Sequence, residues 1–330
     1  MAGKLADVAK QAGVSSATVS RVLNGKPGIS DATRAAVLTA LDVIGYERPT
    51  HLRVRHGRMV GLIVPELQNP IFPALAEVVA GALAQRGFNA VLCTRTGSMS
   101  EAEYVDMLLE RQVSGMVFAG GQYAEADAPH DHYARLLKLR LPVVLVNAAA
   151  PHLDFPRVST DDAVAMEQAY GHLAYLGHER IGLVLGPLDH VPSGRKLDAF
   201  ERLSTFDGLV ERTRFSIEGG HAATTRLLAQ GVTGIICASD PLALGAIRAA
   251  RRAGLSVPAD VSVVGYDDSA FMSCTDPPLT TVRQPIEAIG RAAVEMLADQ
   301  IDGSPVPTDE LFFEPEIVAR GSTAAAPSHR

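Results

Sequence analysis

The chain has 330 residues, enough for more than one domain, and its 47% hydrophobic and 20% charged residues are the balance of an ordinary globular protein. Residues 1–12 carry polar side chains throughout and no apolar run reaches the roughly 18 residues of a membrane span, so we expect a cytoplasmic protein with no secretory signal and no membrane helix. The three widely spaced cysteines, Cys93, Cys237 and Cys274, predict neither a disulfide framework nor a zinc cluster, and we interpret them as small, buried or half-buried hydrophobic residues in a reducing compartment.

The charge is unevenly divided along the chain. Residues 1–58 hold nine Lys or Arg against four Asp or Glu, a net of +5, so the remainder must carry −12 to give the whole-chain charge of −7. A basic head on an acidic body indicates that the head alone binds a polyanion, although charge by itself fits a solvated surface equally well.

The head predicts three helices. Residues 5–12 place apolar side chains at the spacing of one helical face, and Gly13 ends that helix. Ser15 is a good cap for a second helix and Ser30 for a third. Two helices joined by a short glycine turn and closed by a third form the helix-turn-helix arrangement, in which the second helix enters the major groove of DNA.

The second predicted helix has an apolar face and a polar face. The polar face consists of Ser16, Ala17, Ser20, Arg21 and Asn24. Short side chains at Ser16 and Ala17 would let the helix approach the base edges, and Arg21 would reach guanine or a phosphate. The alternative is a three-helix protein-binding module, which the basic charge and the polar outer face disfavour.

Four runs in the head resemble the lactose-repressor family (LacI/GalR): LADVA at 5–9, AGVS at 12–15, TVSRVLNG at 18–25 and TR at 33–34. The resemblance implies a head that reads one half of a palindromic operator in double-stranded DNA, with base contacts from Ser16, Ala17 and Arg21. The residues that we expect to contact DNA are Lys4, Ser15, Ser16, Ala17, Thr18, Ser20, Arg21, Asn24, Leu52 and Arg53.

The segment that follows departs from the family pattern. The family usually has Tyr-x-Pro-Asn-x-x-Ala-Arg and then a hinge helix whose leucine enters the minor groove, whereas residues 46–55 here are YERPTHLRVR. The proline is one place late and the Ala-Arg pair is missing. Leu52 is the candidate for the wedge. The alternative is that the alternating basic residues, Arg53 among them, follow the phosphate backbone.

From residue 59 onward, short apolar strands alternate with helices, which predicts parallel α/β construction. The predicted strands are 60–64, 90–93, 116–119, 143–146, 181–185, 234–237 and 261–265, with helices that include 73–86, 163–176 and 242–252. Three of the strands recur at offsets of 119 to 121 residues. This repeat indicates two lobes of one plan, with a cleft between the carboxyl ends of their strands.

A polar residue ends a strand in each repeat, Asn147 in one and Asp267 in the other. Facing a shared cleft, an amide and a carboxylate suit the recognition of adjacent sugar hydroxyls. The alternative for each residue is a helix cap or a turn former.

The core resembles the same family over nearly its whole length, through NPIF at 69–72, LGH at 176–178, LALG at 242–245, DVSVVGYDD at 260–268 and LTTVRQP at 279–285. The resemblance implies a core like a periplasmic sugar-binding protein, with a small sugar effector in the cleft. The effector contacts that it carries over are Asn69, Ile71, Phe72, Asn147, Arg195, Lys196, Phe215, Ser239, Asp267 and Gln284. The family often has Arg where Lys196 stands, and a lysine keeps the charge but lacks the planar fork. Phe72 and Phe215 would stack on sugar rings or, alternatively, pack in the core.

Three segments are most similar to the maltose-type regulators of the family: YERP at 46–49, NPIFPALA at 69–76 and TDPPLTTVR at 275–283. We therefore expect a malto-oligosaccharide or a similar glucoside as the effector. The tail after residue 322 has no leucine heptads of the kind that form tetramers in some relatives, so we expect a homodimer.

Enzyme motifs are weak in this chain. No Gly-x-Gly-x-x-Gly follows a strand, and Gly186 and Gly194 are too far apart for a phosphate loop. Residues 193–196 fit Ser-x-x-Lys by spacing only. The run from His130 to His132 is a candidate metal site, but its polar surroundings favour a solvated surface. We expect no enzyme activity, no cofactor and no metal.

The complete prediction is an all-α helix-turn-helix head joined to an α/β core of two parallel, Rossmann-like lobes. The head spans 1–47, the linker 48–58 and the core 59–330, with an N-lobe of about 59–158 and 285–311 and a C-lobe of about 159–284 and 312–323. The predicted function is a dimeric, sugar-responsive repressor. The alternatives are a sugar-binding protein with no role on DNA and a regulator of another glycoside or nucleoside pathway.

Overall fold

A computed structural model describes residues 2–23, 29–44, 58–95, 99–147, 149–204 and 209–327. The chain divides into two compact units, Met1–Arg58 and Met59–Arg330. The predicted linker residues Leu52 and Arg53 and the predicted DNA contact Asn24 lie outside the described residues.

The described part of the first unit contains three helices, α1 (Ala2–Gln11), α2 (Ser16–Leu23) and α3 (Asp31–Val43). Gly13 has a φ of +66°, a left-handed conformation that favours glycine and ends α1. The Ser15 and Ser30 hydroxyls accept hydrogen bonds from the backbone N–H groups of Thr18 and Thr33, at 3.1 and 3.2 Å. Both predicted caps are therefore confirmed.

Apolar side chains from all three helices form the small core of the first unit. It comprises Val8, Ala9, Val19, Val22, Leu23, Val37, Ala40 and Leu41, with Ala12, Val14, Ile29 and Ile44 half-buried around it. Because Val19, Val22 and Leu23 point inward, the opposite face of α2 is left on the surface, as the sequence predicts.

The second unit contains twelve strands and eight α-helices within its described residues. The strands are β1 (Arg58–Val64), β2 (Phe88–Thr94), β3 (Gly115–Ala119), β4 (Val143–Val146), β5 (Arg157–Thr160), β6 (Ile181–Leu185), β7 (Val210–Arg212), β8 (Gly234–Cys237), β9 (Ser262–Asp267), β10 (Thr280–Arg283), β11 (Glu310–Phe313) and β12 (Glu316–Val318). The helices are α4 (Ile71–Gln85), α5 (Glu101–Glu110), α6 (Asp131–Leu139), α7 (Asp162–Tyr175), α8 (Val191–Leu203), α9 (Ile217–Ala229), α10 (Asp240–Arg252) and α11 (Ile286–Ile301).

The strands form two six-stranded sheets, one in each lobe. The N-lobe sheet has the order β11-β5-β4-β3-β1-β2 and the C-lobe sheet the order β12-β10-β9-β8-β6-β7. The pairing of β10 with β12 is antiparallel, and the neighbouring pair of β9 and β10 is parallel. Central strands such as β4 are apolar and buried along their whole length, because helices cover both faces of a parallel sheet.

The chain passes between the lobes after β5, after β10 and between β11 and β12. Strands β5 and β11 continue to Thr160 and Phe313, two residues beyond the ends predicted for the N-lobe segments. Strand β9 also continues to Asp267, two residues past its predicted end, so this carboxylate belongs to the last position of the strand.

Two expectations about single residues need revision. Cys93 and Cys237 are buried as expected, but Cys274 is exposed. His132 is buried rather than solvated, and its Nε2 lies 3.1 Å from the buried carboxylate of Glu101.

Among the helices in the described ranges, none is both long and apolar enough to cross a lipid bilayer.

Candidate functional site

A cavity of about 770 Å³ lies between the two lobes of the second unit. Its wall begins where strands end: Pro65 follows β1, Gly120 follows β3 and Asn147 follows β4, while Ser239 lies just beyond β8 and Asp267 ends β9. Open parallel sheets bind their ligands at this edge, and the volume lies within the range of about 300–1,000 Å³ that is usual for small-molecule sites.

Nine of the ten residues predicted to contact an effector line this cavity. They are Asn69, Ile71, Phe72, Asn147, Lys196, Phe215, Ser239, Asp267 and Gln284. Arg195 is not among the lining residues.

Asp267 is the centre of a buried polar network that joins the lobes. Its Oδ1 accepts a hydrogen bond from Gln284 Nε2 at 2.7 Å, and its Oδ2 accepts one from Asn69 Nδ2 at 3.4 Å. Gln284 Oε1 in turn accepts a hydrogen bond from Thr160 Oγ1 at 2.8 Å. Burial raises the pKa of Asp267 well above its ordinary value, and the nearby Asp240 carboxylate raises it further.

The two strand-end residues share a backbone conformation as well as a position. Asn147 has a backbone φ of +72° and Asp267 a φ of +116°, values that residues other than glycine rarely adopt. Within the described part of the chain, no hydrogen bond to the Asn147 side chain is found, so its amide can bond to a ligand. Strained polar residues held at a cavity wall are a feature of binding sites.

Lys196 is engaged by the protein itself. Its ammonium forms an ion pair with the Asp162 carboxylate and lies 4.2 Å from the centre of the Tyr266 ring, and both charged side chains are almost completely buried. Tyr266 also donates a hydrogen bond from its hydroxyl to Asp162 at 3.2 Å. Lys196 therefore presents to the cavity a cation whose charge is already compensated.

Arg195 points away from the cavity, which corrects its predicted place in the effector site. Its two terminal guanidinium nitrogens each donate a hydrogen bond of 2.7 Å to the Glu310 carboxylate on β11. Arg195 precedes Lys196 by one residue, a step of about 100° around helix α8, so the two neighbouring side chains cannot face the same way. The sequence resemblance assigned both residues to the effector site and could not tell which of the two lines the cavity.

The predicted aromatic contacts are both half-buried in the cavity wall. Phe72 packs against the apolar core of the N-lobe, and Phe215 packs against that of the C-lobe. The Phe215 ring meets the His190 ring edge-on, with 5.3 Å between the centroids. Each ring therefore serves the core and also presents an apolar face to the cavity.

Sequence reasoning missed a set of charged and polar lining residues. These are Glu66, Arg95, Tyr123, Glu125, Asp162, Asp189, His190, Ser193, Arg214 and Tyr266. Four of them, Glu66, Arg95, Asp162 and Arg214, lie one or two residues beyond the end of a strand. The rule that located Asn147 and Asp267 would have found these four if it had been applied to every strand.

The lobes also touch at the rim of the cavity. Glu125 follows β3 of the N-lobe and forms an isolated antiparallel bridge with His190, which follows β6 of the C-lobe. The backbone N–H of Ala126 donates a hydrogen bond of 2.8 Å to the carbonyl of Asp189. This contact and the Asn69–Asp267 hydrogen bond hold the lobes in a closed arrangement.

We expect His190 to make stability depend on pH. Burial, with a smaller contribution from the Lys196 ammonium, lowers the pKa of His190 from 6.5 to about 3. Between these values the unfolded chain binds a proton that the folded chain does not, so the free energy of unfolding should fall as the pH drops from 7 to 4. Urea unfolding at several pH values measures the free energy of unfolding of the unaltered protein and of H190Q, and the difference between the two should shrink as the pH falls over this interval. A difference that is constant with pH would contradict this assignment.

Four of the predicted DNA contacts lie on one exposed face of the first unit. Ser16, Ala17, Ser20 and Arg21 are exposed on α2, opposite its buried apolar face. Ser15 is exposed too, but its hydroxyl already caps α2 and lies 2.9 Å from the Thr18 hydroxyl. Lys4 belongs to α1. Base or phosphate contacts by these residues stay predictions.

Metal ligation finds no support in the part of the chain that the structure describes, where no group of three or more His, Cys, Asp or Glu side chains could hold an ion. The run from His130 to His132 is divided between two partners, because His130 Nδ1 lies 2.8 Å from His152 Nε2 whereas His132 contacts Glu101.

Comparison with known proteins gives the chain a family. Residues 4–49 match the family described as bacterial regulatory proteins, lacI family, and residues 170–323 match a periplasmic binding protein-like domain. The chain is also 50% identical to the HTH-type transcriptional regulator MalR of Streptomyces coelicolor, over 341 residues that cover 100% of this chain and 99% of MalR. The chain belongs to the LacI family of bacterial transcriptional regulators.

Two solved structures resemble this LacI-family regulator along almost its whole length. A transcriptional regulator CelR–cellobiose complex is 33% identical with a TM-score of 0.73, covering 96% of this chain and 99% of CelR. The lac repressor dimer bound to operator and the anti-inducer ONPF is 28% identical with a TM-score of 0.77, and the match covers 97% of this chain and 99% of the lac repressor chain. The predicted fold class is confirmed, and the relatives compared are transcriptional regulators rather than enzymes.

Proposed function

We propose that this LacI-family regulator is a cytoplasmic repressor that binds a palindromic operator as a homodimer and is released from it by a small sugar. The observation that carries the proposal is the cavity between the lobes, whose wall holds strand-end polar residues and two phenylalanine rings in a chain that also carries a helix-turn-helix head. A gel-shift titration of operator DNA with sugar tests it: operator binding that sugar strengthens or leaves unchanged would reject release.

The head reads DNA through the exposed face of α2. Ser16 and Ala17 are small enough to let the helix approach the base edges, and Arg21 has the reach and geometry for guanine or a phosphate. The other proposed DNA contacts are Lys4, Ser15, Thr18, Ser20, Asn24, Leu52 and Arg53.

Removing the guanidinium of Arg21 should weaken operator binding selectively. We expect R21A to lose about 1–3 kcal/mol of operator affinity and to relax discrimination at one base position of each half-site. K10A is the matched control, because Lys10 carries the same charge at the end of α1. K10A should weaken binding to operator and to random duplex by similar factors. Fluorescence anisotropy with both duplexes at fixed salt measures this, and equal losses for R21A on both would remove Arg21 from base recognition.

The proposed effector is a neutral glucoside, with malto-oligosaccharides first. Among the lining residues, Glu66, Glu125, Asp162, Asp189 and Asp267 outnumber Arg95, Lys196 and Arg214, so the cavity disfavours a phosphorylated sugar. The sequence similarity to MalR and the cellobiose held by CelR support an oligosaccharide. Calorimetry with maltose, maltotriose, cellobiose, ribose and cytidine tests the choice. Heat from cytidine alone would favour the nucleoside alternative, and no heat from any sugar would reject the effector.

The proposed dimer accounts for release. Each head alone binds a half-site weakly, and two linked heads gain affinity through effective concentration as long as their spacing fits the operator. Sugar that changes the arrangement of the lobes would spoil that spacing. The lac repressor dimer supports the assembly, and light scattering that shows a stable monomer or tetramer would refute it. A protein that binds sugar but shows no preference for any palindromic duplex would instead be a sugar-binding protein with no role on DNA.

A further inference from the structure

Helix α8 contacts both lobes. Its core-facing side chains, Ala199 and Phe200, belong to the C-lobe, and its first turns supply Ser193 and Lys196 to the cavity wall. Arg195, between these two, forms its ion pair with Glu310 on β11, the edge strand of the N-lobe sheet. One helix therefore joins the cavity wall of the C-lobe to the sheet of the other lobe.

The surroundings of Glu310 hold this connection in a defined geometry. The Glu310 side chain is 9% exposed, and besides Arg195 it faces Arg157 at 3.6 Å and the Ser159 hydroxyl, both on β5. Burial alone would raise the pKa of Glu310, but the hydrogen bonds from Arg195 and Ser159 outweigh it and keep the pKa below its ordinary value. The Arg195 guanidinium also lies 5.6 Å from the centre of the Phe312 ring. A guanidinium that donates two hydrogen bonds to one carboxylate tolerates little displacement, because both bonds must form in the same plane.

We propose that Arg195 and Glu310 form a state-dependent link between the lobes, which stabilises the closed arrangement and couples occupancy of the cavity to the orientation of the N-lobe. The inference rests on the proposed function, in that sugar is what changes the arrangement. The Asn69–Asp267 hydrogen bond and the rim bridge lie at the cavity, so a ligand would disturb them directly. The Arg195–Glu310 pair lies outside the wall and responds only to movement of the lobes. Arg195 is thus a positioning residue.

Three variants of the full-length dimer test the link: R195Q, E310Q and the double variant. R226Q is the matched control, because Arg226 forms a 2.7 Å ion pair with Glu211 inside the C-lobe alone. Operator affinity is measured with and without maltotriose. We expect the factor by which maltotriose releases operator to fall about five- to tenfold in each single variant, because the lobes of the sugar-free protein are then already less firmly held. In the double variant the factor of release should fall no further than in either single variant, because each substitution removes the same interaction.

A second measurement reads the lobes directly and needs no effector. Spin labels at K138C on α6 and E201C on α8, both exposed positions, report the distance between the lobes in a C274S background. In the sugar-free protein, R195Q and E310Q should broaden or lengthen the distance distribution, whereas R226Q should leave it unchanged.

The outcomes separate the link from the proposed function. If maltotriose releases no operator from the unaltered protein, the effector assignment fails and the label distances decide the link alone. Unchanged distances in R195Q overturn the link. The link is also overturned if maltotriose releases operator from R195Q as fully as from the unaltered protein. The same holds if the reduction of the release factor in the double variant equals the product of the two single reductions.

Discussion

Replacing Gly245 by alanine is expected to destabilise the C-lobe by about 3 kcal/mol or more, because overpacking against a fixed backbone has no easy relief. Helices α9 and α10 cross at two glycines without side chains between them. A Cβ at Gly245 would meet the carbonyl oxygen of Ile217 and lie 2.6 Å from the backbone nitrogen of His221, and one at Gly220 would lie 2.8 Å from Cα of Leu242. Backbone atoms of packed helices cannot turn aside as a side-chain end can.

Thermal unfolding checks this expectation. A loss of that size should lower the Tm of G245A by about 6 °C or more. G171A is the matched control, since Gly171 lies inside helix α7 with no atom within 4 Å of the added methyl group. It should be neutral or stabilise by up to about 1 kcal/mol, because alanine is the better helix former. A G245A protein as stable as the unaltered one would show that the helices can separate at little cost.

Replacing Lys196 by methionine is expected to cost about 3–5 kcal/mol of unfolding free energy, because it leaves the Asp162 carboxylate buried without its cation. Both side chains are within a few per cent of full burial, so water cannot take over the role of the ammonium. The effect would be larger than the loss of an exposed ion pair such as Arg291–Glu287, whose removal should change stability by less than about 1 kcal/mol.

The double variant K196M/D162N separates charge from packing. It removes both charges and keeps an oxygen to accept the Tyr266 hydroxyl, so most of the stability lost in K196M should return. Urea unfolding of K196M, D162N, K196M/D162N and R291Q measures the cycle. A double variant no more stable than K196M would mean that the lysine stabilises the fold by packing rather than by its charge.

Much of the site could be found without coordinates because its residues lie at strand ends. Asn147 and Asp267 follow apolar runs whose period and length already define strands, and the carboxyl ends of parallel strands meet at one edge of a sheet. The same local signals located the caps at Ser15 and Ser30. Five strands were missed, namely β5, β7, β10, β11 and β12, because strands of only three or four residues carry almost no periodic signal.

Contacts between residues distant in the chain could not be predicted. Asn69 bonds to Asp267 across 198 positions and Arg195 to Glu310 across 115, and no local pattern marks either pair. The resemblance placed Arg195 beside Lys196 in the effector site, and only the turn of α8 separated the residue that lines the cavity from the one that joins the lobes.

By itself the sequence determined the class of each segment, because helical periodicity, buried strands, caps and glycine turns depend on residues within a few positions of one another. The tertiary structure decided which charges are compensated and which lobe each side chain contacts: Lys196 pairs with Asp162, and Arg195 pairs with Glu310. The physical reason is that burial and charge pairing are set by neighbours in space, and those neighbours come from parts of the chain that the local pattern does not connect.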